Sequence, residues 1–535
     1  MGMAAVDAIV IGSGPNGLTG ANMLADRGWS VLVLEAQPTP GGAVRSDRGV
    51  HPEFVHDTFS AFYPLALGSP AIGSLDLENH GLRWCHAPAV VGVPKPEGGW
   101  ALQYRDATQT AAHLDDPADA TAYAVLVEAW QAVREPLLRG LLTPFPPVRA
   151  GLGLAAKLRA AGGLPFLRTL AQPANTLVGN RFRGLDAPLL IAGNAGHADI
   201  PLNAAGSGLF GWLMTMLGQE YGFPAPEGGA GALTAAMITR LASLGGEVHC
   251  DTAVSEILVQ NGRVCGVRCA DGEVVLAERA VLADVAVPAL YGELLRHARL
   301  PSRTHAGIRD FDWDPATVKV DFALSAPVPW ADPPDRMPGT VHILDSVADM
   351  ALWTGQLEAG LVPSQPFLLM GQMTTTDPTR SPTGTESVWA YTHVPQHVQG
   401  DAGGVGGTVT GRWDRSDGER FADRIQARIE RVAPGFGSRI LARRVLTPPD
   451  LERRDANLVG GAIGGGTSAL HQQLIFRPMP GLGRAETPVK RLYLASSSAH
   501  PGGGVHGACG ANAARAALAH DRLRAPLRSR ARRPG

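Results

Sequence analysis

Hydrophobic positions at the start of the chain form two short runs separated by a helical pattern. The runs, residues 8–11 and 31–34, are short and rich in β-branched side chains, which is typical of strands buried on both faces. A glycine-rich turn of sequence Gly-Ser-Gly-Pro-Asn-Gly lies at 12–17, before the helical pattern, and the second run ends in Glu35. This pattern predicts a βαβ unit with a dinucleotide-binding turn.

Each glycine of the turn has a physical role in that prediction. Gly12 permits the tight turn, Gly14 lets the backbone approach a pyrophosphate, and Gly17 lets the helix pack closely on the strand. The N-terminus of the helix would face the phosphates, and Glu35 would accept hydrogen bonds from ribose hydroxyls and repel a 2′-phosphate. The predicted cofactor contacts in this unit are Gly12, Ser13, Gly14, Pro15, Asn16, Gly17, Glu35 and Ala36.

A second glycine pair bears on the choice between FAD and NAD. Gly41, Gly42 and Arg45 follow Glu35 closely and would add N–H donors and a cation near a pyrophosphate. This spacing resembles that of FAD-binding amine oxidases and phytoene desaturases, so FAD is the expected cofactor. The alternative is an ordinary Pro/Gly loop with a solvated arginine.

Alternating patterns later in the chain predict the return to this unit and then a second domain. The turns at Asn261-Gly262 and Asp271-Gly272 predict hairpins, and a buried strand follows at 280–284. Val254 is a candidate to contact the adenine through its backbone. Beyond 308 the pattern predicts a mixed, largely antiparallel sheet with a helix. Its strands are a half-buried one, in which Lys319 and Asp321 alternate with apolar residues, and two more at 366–373 and 386–394.

The segment 139–183 is basic and apolar and contains no acidic residue. Such a segment suits a peripheral contact with an anionic membrane, and the alternative is a helical cap with a solvated basic face.

The last informative stretch runs from a strand at 491–495 through a loop that contains Gly503 and Gly504 into a helix beginning near Val505. A helix end with such small residues can approach a flavin and stabilise negative charge on its ring. His500 and His506 lie there, and His500 is a candidate for an acid or base, the alternative being a structural role.

Composition bounds the remaining expectations. The 535 residues are 45% hydrophobic and 18% charged with a formal net charge of −2, so we expect a globular protein of two domains and no nucleic-acid partner. The five cysteines include no redox-spaced pair, and no leader, membrane-spanning or metal-binding segment is recognised. A cytoplasmic location, at most peripheral to a membrane, follows as an expectation.

The chain is similar to the phytoene desaturase-related flavoproteins. The resemblance lies in the 12–35 fingerprint, Gly41-Gly42, Glu227-Gly228-Gly229, the Leu470–Pro480 segment with Arg477, Thr487-Pro488 and His500-Pro-Gly-Gly-Gly504. The Leu470–Pro480 segment and Thr487-Pro488 are similar to the branch of pyridine nucleotide-disulfide oxidoreductase domain proteins and desaturase-like carotene ketolases, although no redox cysteine pair supports the disulfide name. By position, the resemblance implies FAD contacts from Gly503, Gly504 and Val505, in addition to the N-terminal residues named above, and transfers no catalytic side chain.

The fold implied is α/β: a Rossmann-like FAD-binding domain of the amine oxidase/phytoene desaturase type with a second α+β substrate domain. We expect the FAD-binding domain from 1–90, 225–305 and 480–520, the substrate domain with its helical cap from 91–224 and 306–479, and a disordered basic tail at 521–535. The function expected is an FAD-dependent oxidoreductase that acts on a small hydrophobic, isoprenoid or lipid-like substrate and is reoxidised by quinone, oxygen or another acceptor. The alternatives are a flavin amine oxidase and a non-catalytic escort protein of the same fold.

Overall fold

The computed structural model describes residues 5–531. In chain order its strands are β1 Ala5–Ile11, β2 Val31–Leu34, β3 Ser46–Asp47, β4 His56–Asp57, β5 Trp84–Cys85, β6 Ala89–Pro94, β7 Trp100–Gln103, β8 Ala225–Pro226, β9 Glu247–His249, β10 Val254–Gln260, β11 Arg263–Cys269, β12 Val274–Ala283, β13 Ala316–Leu324, β14 Pro338–Ile343, β15 Leu361–Val362, β16 Leu368–Gln372, β17 Glu386–Val394, β18 Gly400–Asp401, β19 Ile440–Leu446 and β20 Leu492–Leu494.

Its α-helices are α1 Pro15–Ala25, α2 Pro64–Gly68, α3 Pro70–Gly73, α4 Ala107–Ala112, α5 Pro117–Leu142, α6 Val148–Lys157, α7 Leu164–Ala171, α8 Ala174–Arg181, α9 Asp186–Ala195, α10 Ser207–Tyr221, α11 Gly231–Ser243, α12 Ser302–Arg309, α13 Val347–Glu358, α14 Met373–Thr376, α15 Arg415–Glu430, α16 Pro448–Arg454 and α17 Ala508–Ala531.

The first sheet has the order β10-β11-β12-β1-β2-β9, and β20 pairs in parallel with the end of β12. β1 lies between β2 and β12, parallel to both, and all four residues of β2 are buried, as the short apolar runs predict. The predicted hairpin is confirmed: Gln260 pairs with Arg263, and Asn261 and Gly262 both have positive φ, as a two-residue turn requires.

The second sheet has the order β19-β13-β17-β16-β14-β6-β7 and is antiparallel except between β14 and β6. One face packs on α15 through Phe421, Ile425 and Ile429. The other packs against α9 and α13, so the sheet is covered on both sides. The α+β character predicted for this part of the chain is therefore confirmed.

The expectation that β13 is half-buried is wrong. Every residue of β13 is buried, including Lys319 and Asp321. These two side chains form an ion pair, Lys319 Nζ also donates to the Asp57 carbonyl oxygen at 2.8 Å, and Arg444 donates to Asp321 at 2.8 Å. The alternation of polar and apolar residues predicted a solvated face. A sequence pattern cannot show that two charged side chains pair with each other in the protein interior.

Two further regions complete the frame. Helices α5–α10 form a cap whose core includes Tyr123, Leu126 and Trp130.

The expectation that the C-terminal tail is disordered is wrong as far as residue 531, because α17 continues to Ala531. Residues 532–535 lie outside the described residues. Within the described chain, no helix combines the length and apolar character that crossing a bilayer requires.

Candidate functional site

The glycine turn between β1 and α1 is built as its sequence predicts. Gly12 has φ +94°, and a Cβ on Gly17 would lie 2.3 Å from the Gly12 carbonyl oxygen. A side chain at position 17 would therefore force the helix away from the strand. The turn needs glycine at these two positions for backbone geometry alone.

Asp284 contacts the glycine turn, and the sequence pattern did not identify it as a site residue. Its Oδ2 accepts a hydrogen bond from the Gly17 amide at 2.7 Å, and a Cβ on Gly14 would lie 2.8 Å from the same oxygen. Burial, with the nearby Asp455 and Glu35, raises the pKa of Asp284 to about 8. The carboxyl group therefore holds its proton at neutral pH and adds little negative charge beside a phosphate.

Glu35 is buried at the end of β2 and organises the loops beside the turn. Its Oε2 accepts from the Ser13 amide at 2.9 Å and from the Ser13 hydroxyl at 2.6 Å. The Gly41 amide donates to the same Ser13 hydroxyl at 3.1 Å, and a Cβ on Gly42 would lie 3.1 Å from Gly14 Cα. The two glycine motifs and the acid thus form one cradle.

The remaining predicted residues of this region surround the cradle. Ala36 follows Glu35 on the surface, and the Thr252 amide donates to the Glu35 carbonyl oxygen at 2.8 Å, which brings Val254 at the start of β10 to the same edge. Arg45 stacks over the ring of Phe59 at 5.3 Å and donates to the Arg454 carbonyl oxygen at 2.7 Å.

Two buried polar atoms in the cradle, Asn16 Oδ1 and Arg45 Nε, have no hydrogen-bond partner within the described residues. Buried polar atoms are almost always paired, so these two call for a polar ligand. The backbone-lined cradle, the buried acid and the unpaired atoms together fit FAD.

The C-terminal loop reaches the same place. A Cβ on Gly510 would lie 1.7 Å from the Asn16 carbonyl oxygen, and one on Gly507 would lie 2.4 Å from Thr19 Oγ1. The first turns of α17 and α1 therefore touch through backbone, although about 500 residues separate them. Val505 packs on the core beneath the first sheet, and Gly504 has φ +104°.

Gly503 joins this loop to the second sheet. A Cβ on Gly503 would lie 2.8 Å from Gly464 Cα, and the Gly464 amide donates to Asp314 at 2.6 Å. Burial and Asp199 raise the pKa of Asp314 to about 7. This contact places a titratable carboxyl group directly behind the glycine loop.

Both histidines of the loop are buried. His500 Nε2 lies 3.0 Å from the Thr143 carbonyl oxygen, so Nε2 carries the hydrogen, and Nδ1 has no partner within the described residues. Burial lowers the pKa of His500 and lowers that of His506 to about 4. The Thr143 contact gives His500 a structural role in fixing the helical cap to the loop.

We infer an interior space between the second sheet and the cap from the exposure of the residues that lie there. Three residues there, His197, Asp199 and Tyr391, are half-buried. Because His197 and Tyr391 lie deep in the fold, the surface that they keep faces an internal space. The ring centroids of Phe62 and Trp389 are 5.8 Å apart. Trp389 also stacks on Tyr391, with a centroid distance of 5.8 Å. The walls of the space are therefore largely aromatic.

One acid–imidazole pair stands in that aromatic wall. His393 Nε2 lies 2.8 Å from Asp199 Oδ1, and its Nδ1 lies 3.2 Å from Thr317 Oγ1. Burial alone would lower the pKa of His393, but the Asp199 carboxylate outweighs it and raises the pKa. The pair can hold a proton.

These residues escaped prediction because His393, the ion-pair partner of Asp199, lies 194 positions further along the chain. Positive φ at Asp199, 58°, is visible only in the fold. For Asp284 a signal did exist: an aspartate directly after a buried return strand.

Comparison with known proteins places the chain in a family. Residues 10–67 match the NAD(P)-binding Rossmann-like domain, and residues 173–518 match the flavin-containing amine oxidoreductases. Pyridine nucleotide-disulfide oxidoreductase domain-containing protein 2 of Mus musculus is 30% identical over 95% of this chain and 92% of its own. A lycopene-forming phytoene desaturase of Pseudescherichia vulneris is 27% identical over 95% of this chain and 98% of its own.

Solved structures agree with the fold. An oxidoreductase from Methanosarcina mazei, 16% identical, superposes with a TM-score of 0.61 over 96% of this chain and 99% of its own. The expected fold class and the expected FAD cofactor are confirmed, and the protein is an enzyme rather than an escort protein. The chain belongs to the flavin-containing amine oxidoreductase family, within which its relatives include phytoene desaturases.

Proposed function

We propose that this FAD-dependent oxidoreductase removes hydride from a hydrophobic, isoprenoid or lipid-like substrate, with quinone, oxygen or another acceptor reoxidising the flavin. The observation that carries the proposal is the aromatic interior space that includes Tyr391. It is coupled to the C-terminal loop through Asp314, Gly464 and Gly503. An apolar chain fits such walls better than a polar metabolite does.

The residues of this chain have distinct roles in that reaction. FAD, when bound, supplies the hydride acceptor. The cradle around Gly14 and Glu35 binds and orients the cofactor, and the cap closed by the His500–Thr143 contact excludes water. In its deprotonated state, the Asp199–His393 pair accepts the proton released from the carbon next to the hydride-donating carbon, as the double bond forms between these two carbons.

Amine oxidation is the second candidate, and a specific observation favours it. Asp199 presents a carboxylate to the space beside the ring of Tyr391, and a carboxylate among aromatic rings can hold a cationic amine. The same space therefore admits two substrate classes, which differ in whether charge at Asp199 is needed for binding.

Anaerobic stopped-flow reduction of the bound flavin distinguishes them. We expect isoprenoid and long-chain lipid substrates to bleach the flavin absorbance and small alkylamines to leave it unchanged. In Asp199→Asn the reduction by the lipid should slow about 10²-fold with little change in its apparent dissociation constant. Reduction by amines only, with binding lost in Asp199→Asn, would replace the first candidate by the second.

Delivery of an apolar substrate needs a surface contact, and we propose that the basic segment provides it on an anionic bilayer. Val148, Leu152 and Leu164 are 63%, 68% and 76% exposed on α6 and α7. Exposed basic residues accompany them: Arg149, Lys157, Arg159 and Arg168. Exposed apolar side chains among cations are the pattern of helices that lie on anionic lipid.

A flotation assay with vesicles containing anionic lipid tests this surface. The wild type should float, and a Leu152→Asp/Leu164→Asp variant should stay at the bottom of the gradient. Leu352→Asp is the matched control, because Leu352 is 62% exposed on α13 outside the segment. Equal flotation of all three, or of none, would refute the membrane contact.

A further inference from the structure

Arg477 is a fully buried arginine that the mechanism above does not use. It lies in the 470–480 segment, and its side chain has no exposed surface. Burial lowers its pKa, but a guanidinium stays protonated in proteins. A positive charge is therefore enclosed in this part of the fold.

Backbone carbonyl groups, not carboxylates, surround that charge. Arg477 donates to the carbonyl oxygen of Thr467 at 2.9 Å and to that of Ser497 at 2.7 Å. Three successive glycine carbonyl oxygens, those of residues 464–466, also lie 3.1–3.2 Å from its Nη2. Within residues 5–531, no carboxylate lies within ion-pair distance of it.

The guanidinium lies directly against the C-terminal glycine loop. A Cβ on Gly502 would lie 2.9 Å from Arg477 Cζ, so only glycine permits this contact. A Cβ on Gly465 would lie 2.6 Å from Ser497 Cβ. Arg477 thus holds two glycine-rich loops together, one of them the loop predicted to face the flavin ring.

The neighbouring titratable groups do not neutralise the charge at neutral pH. Burial raises the pKa of the Cys509 thiol to about 12, and it lowers the pKa of His506 to about 4, so both are uncharged. Asp314, whose pKa burial raises to about 7, interacts with Arg477 and supplies only part of a negative charge. The N-terminus of α17 adds further positive potential on the same side.

We propose that Arg477 is a positioning residue that fixes the 464–467 and 497–504 loops and, through its unneutralised charge, favours reduction of the flavin. Hydride transfer to a flavin places negative charge on its ring, and an enclosed cation stabilises that charge more than it does the neutral oxidised ring. The inference rests on the proposed flavin site but not on the identity of the substrate.

The test is the two-electron midpoint potential of the bound FAD, measured by dye-coupled reduction without substrate. In Arg477→Met the equilibrium constant for reduction should fall at least tenfold, which corresponds to a potential about 30 mV lower. Arg424→Met is the control: Arg424 is also buried, but it pairs with Asp401 on the α15 side of the second sheet, and the potential should not change. A wild-type potential in Arg477→Met would overturn the proposal.

Arg477→Lys keeps the test decisive if the methionine variant does not fold. Lysine retains the charge at pH 6 but cannot donate to all the carbonyl groups. We expect a potential within threefold of wild type in equilibrium constant and a lower melting temperature. A tenfold loss at pH 6 would show that loop geometry, not charge, sets the potential and would overturn the charge assignment. Failure of every lipid to reduce the wild type would instead overturn only the proposed substrate.

Discussion

The regions next to the first and the second sheet of this flavoprotein are built from different kinds of group. Next to the first sheet, the cradle is made from backbone: glycines at 12, 14 and 17 and one organising acid, Glu35. Inside the second, charged side chains are buried in pairs, as with Lys319 and Asp321. A site for a fixed cofactor can be encoded locally, whereas the substrate side depends on contacts between distant segments.

The largest expected effect comes from the backbone joint between α1 and α17. Gly510→Ala places a Cβ 1.7 Å from the Asn16 carbonyl oxygen, so the helices must separate. We expect a loss of about 4 kcal/mol or more in the free energy of unfolding, together with loss of retained FAD. Denaturant unfolding and flavin absorbance after gel filtration measure the two effects.

Gly355→Ala is the matched control for that substitution. Gly355 also lies in a helix, α13, but nothing lies within 4 Å of an added Cβ. We expect it to gain about 0.5–1 kcal/mol from helix propensity. Equal effects of the two substitutions would show that the joint is not tightly packed.

The second prediction concerns the buried ion triad of Arg380, Asp57 and Asp377. Arg380 donates to Asp57 at 2.9 Å and to Asp377 at 3.0 Å, and all three side chains are fully buried. Arg380→Met leaves two buried carboxylates without their cation and should cost about 3–5 kcal/mol in the free energy of unfolding. Chemical denaturation at neutral pH measures it.

Arg139→Met shows what an exposed pair contributes. Its pair with Glu135 has side chains 60% and 69% exposed, and its loss should cost under about 0.5 kcal/mol. A similar small cost for Arg380→Met would mean that the buried triad does not stabilise the fold.

The third and smallest prediction is a pH dependence at Asp284. Its pKa is about 8 in the fold against an ordinary 3.8, so between these values only the folded protein holds the proton. Wild-type stability should therefore fall as pH rises from about 4 to about 8, whereas Asp284→Asn carries no such cost. The stability difference between variant and wild type should grow by on the order of 2–4 kcal/mol across that window and level off above it.

Unfolding curves at pH 5, 7 and 9 measure this difference directly. Asparagine can still accept the Gly17 hydrogen bond, so the contact itself is kept. A difference that stays constant with pH would mean that Asp284 is ionised in the fold.

The sequence predicted the parts of the molecule whose determinants are local. Turn, helix, strand and acid follow one another within residues 8–35, and the hairpin at Asn261-Gly262 is fixed by its own two residues. The strand–loop–helix at the C-terminus is equally local, so its elements were predicted even though its position beside α1 was not.

The rest could not be predicted because it depends on pairing across the chain. Lys319 and Asp321 indicated a solvated face, and only Arg444 and the covering layers make their burial possible. Asp57 and Arg380 are 323 positions apart, and Asp199 meets His393 only through the cap. A pattern of apolar and polar residues contains no record of such partners.

We propose that the Gly12–Gly17 turn and the loop at Gly502–Val505 close around one FAD. The most direct test is the visible spectrum of the purified, folded wild type after incubation with FAD and gel filtration. We expect a flavin absorbance band with FAD equimolar to protein, and loss of that band in Gly510→Ala. A wild type that is folded by circular dichroism but remains colourless would contradict it.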